Sequence, residues 1–144
     1  MPALAFTGPG TTIILPDEGR WSSPPGAPPR AFETAVLAGD PDGQGPYVEL
    51  LRWYPGWMSA PHRYLTDRMA VVLSGVWWVD SADDFDPRRC RPVPAGTYIQ
   101  REAGSAHYDG VISGAPEPVT IAMFGLAPIG FQLVDPSAPA LRRV

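Results

Sequence analysis

The stretch GWMSAPHRYLTDRMAVVLSG, residues 56–75, decides how the rest of the chain is read. It opens and closes on glycine. Between them His62, Tyr64 and Arg68 are spaced as the ligands of a metal site would be, although two of the three are unusual for one. Side chains alternate across a strand, so His62 and Tyr64 point to one face. The run MAVVLSGVWWVD (69–80) that overlaps its end is β-branched and aromatic, as strands prefer.

Outward from this stretch the same texture continues. TTIIL (11–15), FETAVLA (32–38), YVELLRWY (47–54), GTYIQRE (96–102), PVTIAMFG (118–125) and IGFQLV (129–134) read as further strands. Nineteen prolines and fifteen glycines leave long helices almost nowhere to form. Short strands at regular spacing with turn signals between them predict an all-β sandwich or barrel in a single domain. Residues 1–30, with the Pro-rich RWSSPPGAPPR (20–30), are expected to form an N-terminal strand and an extended arm over the barrel or a partner. The barrel itself is expected over 31–135, and 136–144 as a loose tail.

Composition narrows the function. Of the 144 residues, 44% are hydrophobic and 18% charged, enough apolar material for a core. The formal net charge of −4, with its basic residues scattered, argues against a nucleic-acid or anionic-membrane partner. The most apolar segment, 119–134, is broken by Gly125, Pro128 and Gly130, and reads as buried strands. The N-terminus lacks the basic start and apolar stretch of a signal peptide, so a cytoplasmic protein is expected. Cys90 is the only cysteine, which excludes an internal disulfide and a cysteine-based zinc cluster.

The chain holds two histidines, His62 and His107, each inside a glycine-punctuated motif. Gly56, His62, Tyr64, Arg68 and Gly75 keep one spacing; Gly96, Glu102, Gly104, His107 and Val111 keep a second. In this pattern the sequence resembles the cupin superfamily, from about Tyr47 to Val134. That resemblance implies an antiparallel β-barrel of the double-stranded β-helix, or jelly-roll, type that commonly pairs as a homodimer. It also implies an interior metal site for a divalent ion such as Fe, Mn, Ni or Zn. His62 and His107 match the family's ligands, Tyr64 stands where a histidine would, and Arg68 where the glutamate would.

The departures matter chemically. Tyr64 could serve as a phenolate ligand, because a cation stabilises the deprotonated form. Arg68 offers no lone pair. At about 5 Å and an effective dielectric near 20, its charge would cost a divalent ion roughly 6–7 kcal/mol unless an acid neutralises it. Glu49 and Glu102 are the candidate partners. Glu49 shares a strand face with Tyr47, Leu51 and Trp53, but alternation alone does not say whether that face is inside.

The pocket walls are expected to be aromatic, from Tyr47, Trp53, Trp57, Trp77, Tyr98 and Phe124, with Gln100 as a polar contributor on the face of Tyr98. Three functions compete: a small-molecule enzyme with an altered metal site (His62 and His107, with Tyr64 or Glu49 as a further candidate) doing oxygenase- or Lewis-acid-type chemistry; a metal-free isomerase, cyclase or lyase with a histidine base and Arg68 stabilising an oxyanion; and a small-molecule carrier without chemistry.

Overall fold

A computed structural model describes residues 6–144; residues 1–5, part of the expected arm, lie outside it. The described residues form fourteen strands in chain order, with two single 3-10 turns and no α-helix among them. They are β1 Phe6–Gly8, β2 Thr11–Ile13, β3 Phe32–Ala38, β4 Gly45–Trp53, β5 Trp57–Ser59, β6 His62–Arg63, β7 Arg68–Ser74, β8 Val76–Asp80, β9 Arg91–Pro94, β10 Tyr98–Arg101, β11 Tyr108–Val111, β12 Val119–Ala127, β13 Gln132–Leu133 and β14 Leu141–Arg143.

Two five-stranded antiparallel sheets make the barrel, one in the order β10-β7-β12-β4-β3 and the other β14-β5-β11-β8-β9. Two-stranded pairs β1-β2 and β13-β6 complete it. The mostly apolar run 69–80 spans two strands in different sheets. Gly75 breaks it at φ 78, a conformation that costs glycine nothing.

Packing follows the period-two pattern. On β4 the side chains of Tyr47, Glu49, Leu51 and Trp53 turn inward, and their neighbours are half-buried outside. Leu51 and Trp53 join Ala70, Val72, Trp77, Val111, Val119, Ile121 and Met123 in the main core cluster. Along each strand this apolar lining gives way to polar residues: Val72 and Ala70 to Arg68 on β7, Leu51 to Glu49 on β4, Val111 to Asp109 on β11. The buried polar residues of the interior therefore gather toward one end of these strands.

Gly125 sits where these polar residues converge. The register places it between Arg68 on β7 and Tyr47 on β4. A Cβ there would lie 2.8 Å from the Asp67 carbonyl oxygen and 3.4 Å from the Tyr47 hydroxyl. Its bare backbone lets Tyr47 reach across to Arg68. Gly125→Ala is therefore expected to cost about 1–3 kcal/mol, the usual penalty of overpacking, read as a lower denaturant midpoint. An unchanged midpoint would show that the sheet yields at this point.

One further segment differs from the expectations. The loose tail expected over 136–144 pairs through Leu141–Arg143 with β5, because Leu141 has an apolar wall to cover and Arg143 lies 5.1 Å over the Trp57 ring. The Pro-rich arm runs beside β3, bridged by Ser22 to Thr34, with Arg52 3.9 Å over the Trp21 ring. No helix among the described residues is long and apolar enough to cross a membrane.

Candidate metal and substrate site

His62 and His107 come from elements far apart in the chain and are joined by their own backbones. The His62 N–H donates to the His107 carbonyl at 2.9 Å, and the His107 N–H returns the bond at 3.1 Å. This antiparallel bridge puts both rings on the interior side, 4.3 Å apart. Each ring is then set by a second bond: His62 Nδ1 lies 2.7 Å from the Ala60 carbonyl oxygen, and His107 Nδ1 3.1 Å from that of Ser105. A carbonyl only accepts, so each Nδ1 carries the proton and each Nε2 keeps its lone pair. Burial lowers the pKa of both rings, that of His107 to about 2 with the adjacent His62 adding to the effect. Both rings are neutral at ordinary pH.

A third candidate donor is Asp109, which the sequence reading missed. It follows His107 by two residues on one strand, so alternation gives it the same face; that spacing was the available signal. Trp77 Nε1 donates to its Oδ1 at 3.2 Å, and Ser59 Oγ takes its backbone N–H at 3.1 Å. The ligating atoms of His62, His107 and Asp109 all lie within 4.8 Å of one another. Behind them Arg101, 8% exposed, holds its Nη2 3.6 Å from Asp109 Oδ2.

Arg68 finds the acid its position required. Its Nη2 donates to Glu49 Oε1 at 2.6 Å and its Nε to the Tyr47 hydroxyl at 2.9 Å. Glu49 is thus inside the barrel, 6% exposed, while Glu102 is exposed and takes no part. The guanidinium lies 4.2 Å over the Tyr64 ring, which stands 5.1 Å from His62 and 5.5 Å from His107. Burial pushes the Tyr64 phenol up to about 12, against the pull of Arg68, so it is a neutral hydroxyl.

These groups line one cavity of ≈ 470 Å³. Phe32, Leu51, Trp53, Trp77, Met123, Phe131 and Leu141 form its apolar walls. Trp53, Trp77 and Glu49 line the cavity. Tyr98 and Gln100 do not. In the β10–β7 register Arg101 faces Arg68 and Ile99 faces Ala70, so the inward set is Ile99 and Arg101. Tyr98, 56% exposed, and Gln100 lie outside, bonded to each other at 3.2 Å. Trp57 and Phe124 are half-buried and absent from the cavity lining, where Met123 takes the inward place on β12. Cys90 is buried, and burial pushes its thiol up to about 12, which leaves it unreactive.

No protein-family profile and no curated protein matches this sequence. Solved structures do match in shape. The polyketide cyclase RemF from Streptomyces resistomycificus superposes with a TM-score of 0.64 at 18% identity, over 91% of this chain and 83% of that one. KdgF from Halomonas sp. gives 0.57 at 18%, covering 77% and 91%. A cupin-2 domain protein from Rhodospirillum rubrum gives 0.60 at 18%, covering 79% and 72%. Likeness at this identity carries architecture and not chemistry: the chain has the cupin fold, a double-stranded β-helix barrel.

Proposed function

We propose that the protein is a small-molecule enzyme of the cupin type whose centre is a divalent cation held by His62, His107 and Asp109. The observation that carries this is the pair of imidazoles whose Nδ1 protons are committed to carbonyls, each with a ligand atom within 4.8 Å of the other's and of the Asp109 carboxylate. Such carbonyl bonds orient metal-ligating histidines generally. Two histidines and one carboxylate suit iron(II), and nitrogen and oxygen donors also suit Zn, Mn or Ni. Glu49 pairs the charge of Arg68, and two neutral imidazoles with a carboxylate suit a cation, which would share Asp109 with the Arg101 guanidinium 3.6 Å away. When bound, that cation would supply Lewis-acid polarisation of a substrate oxygen, or oxygen activation if it is iron.

The protein's own groups then bind and orient. The apolar walls exclude water from a flat organic body, while Tyr64 and Arg68 offer hydrogen-bond donors at the polar end. One neighbour in shape is named as a polyketide cyclase, which supports an enzymatic use of such a cavity. The homodimer expected from the resemblance belongs to this proposal too, supported by exposed Leu73 and Tyr98 on the neighbouring strands β7 and β10.

Metal titration of untagged apoprotein tests the centre. Wild type is expected to bind one equivalent of Fe, Mn, Ni or Zn. His62→Ala, His107→Ala and Asp109→Ala should each weaken binding beyond the ~100-fold that loss of a supporting contact costs. Tyr64→Phe should keep the metal. Metal content indifferent to the three alanine variants would sink this reading. It would favour the metal-free acid–base enzyme, to which Arg68 at the family's glutamate position already points.

A further inference from the structure

Glu49 has no place in the proposed ligand set, yet its carboxylate is only half used. Oε1 takes the Arg68 Nη2 proton at 2.6 Å, and Oε2 has no hydrogen-bond partner among the described residues. The buried polar atoms that are sealed and unsatisfied are Trp53 Nε1, Arg101 Nε and Arg101 Nη2; Oε2 is not one of them, and Glu49 lines the cavity. Arg68 is similarly committed through Nε and Nη2, while its Nη1 is free of partners among the described residues, and the Tyr64 hydroxyl beneath it also has none. One wall of the cavity therefore presents an acceptor, Glu49 Oε2, beside two donors, Arg68 and Tyr64.

We propose that Glu49 is the proton acceptor of the reaction, and that the substrate is an enolisable carbonyl compound carried on a flat apolar body. Oε2 forms an O–H bond as the C–H bond next to the carbonyl breaks. The released electron pair becomes the carbon–carbon double bond, and the carbonyl oxygen takes the negative charge. Arg68 and Tyr64 donate to that oxygen, and the proton held on Oε2 is returned to the substrate. Atoms and charge balance without an oxidant or second reactant. Preorganised donors aimed at a developing oxyanion are what this chemistry needs. Burial raises the pKa of Glu49 above the ordinary carboxylate range, against the pull of Arg68, which makes it a stronger base than an exposed glutamate. The inference deepens the enzymatic reading above but does not depend on which metal is bound.

The test uses β-tetralone, a flat bicyclic ketone, in D2O. NMR follows loss of its benzylic α-protons, and quenching of the wall tryptophans Trp53 and Trp77 follows its binding. Wild-type protein is expected to exchange these protons faster than acetate at equal concentration. Glu49→Gln should lower the enzymatic exchange by about 100-fold or more, as loss of a positioned base does, with quenching retained; because it also leaves the Arg68 charge unpaired and so weakens metal binding, both proteins are compared at saturating metal. Exchange unchanged in Glu49→Gln, or wild type no faster than acetate, overturns the proposal. Should Glu49→Gln not fold, Glu49→Asp decides: it keeps the charge beside Arg68 but withdraws the oxygens by one methylene. Reduced exchange in that folded variant supports the assignment and unchanged exchange overturns it. The ligand set is tested apart from this, on the alanine variants of His62, His107 and Asp109, so the two readings fail independently.

Discussion

Arg68→Ala is expected to lower the unfolding free energy by about 3–5 kcal/mol, the cost of breaking a buried ion pair by removing one partner. The side chains of Arg68 and Glu49 are 2% and 8% exposed, and their atoms meet at 2.6 Å. Alanine leaves the Glu49 carboxylate without its cation, the Tyr47 hydroxyl without its donor, and a void where the guanidinium lay against the Tyr64 ring. A stability of about 5–15 kcal/mol makes such a loss a large fraction of the whole. The pair itself need not be stabilising. Its two desolvation penalties are large, and apolar residues of similar volume often replace such pairs at no cost. Arg68→Met combined with Glu49→Leu is therefore expected to recover most or all of the loss, at the expense of the proposed chemistry. Denaturant unfolding of both single variants and the double variant measures the coupling. A loss below about 1 kcal/mol for Arg68→Ala would mean that the pair behaves like a surface one.

Mild acid is the second large perturbation. The folded state holds His107 with its pKa lowered to about 2 by burial, and His62 lowered in the same direction, against an ordinary value of 6.5. A group with a depressed folded pKa that is charged when protonated binds its proton in the unfolded chain first. Stability is then complete above about pH 6.5 and is lost as pH falls below it. Between pH 7 and pH 5, His107 alone accounts for about 2 kcal/mol, and His62 adds to it. Glu49 acts with the opposite sign, since its raised pKa favours proton uptake in the folded state above 4.5. Asp80, Asp84 and Asp86, lowered from 3.8, lose their contributions only at lower pH. Chelated protein followed by denaturant unfolding across pH 7 to 5 should show the loss, and His107→Asn should flatten it. A profile as steep in His107→Asn as in wild type would show that the imidazole titrates normally in the fold.

Several local readings were open to the sequence because one physical rule decides them. FETAVLA matched β3 residue for residue, and YVELLRWY matched β4 to within two, since β-branched and aromatic residues bounded by glycine and proline suit a pleated, half-buried surface. Strands built from other material went unseen. RPVP forms β9 despite two prolines, and YDGV forms β11 with an aspartate and a glycine at its centre; tertiary pairing with β8 holds both. The proposed third ligand lay inside one of those unseen strands.

What the sequence determined by itself was the all-β class and the pairing of two histidines, because motif spacing sets the phase of a strand and phase sets which side chains travel together. What only the tertiary structure decided was which of two faces is the inside. YVELLRWY offered Glu49 or its neighbours, and the structure turned Glu49 in; GTYIQRE offered Tyr98 and Gln100 or Ile99 and Arg101, and the structure took the second set. Alternation leaves that choice twofold, and only the hydrogen-bonded register with the neighbouring strand resolves it, since a slip of one residue exchanges every side chain between core and solvent.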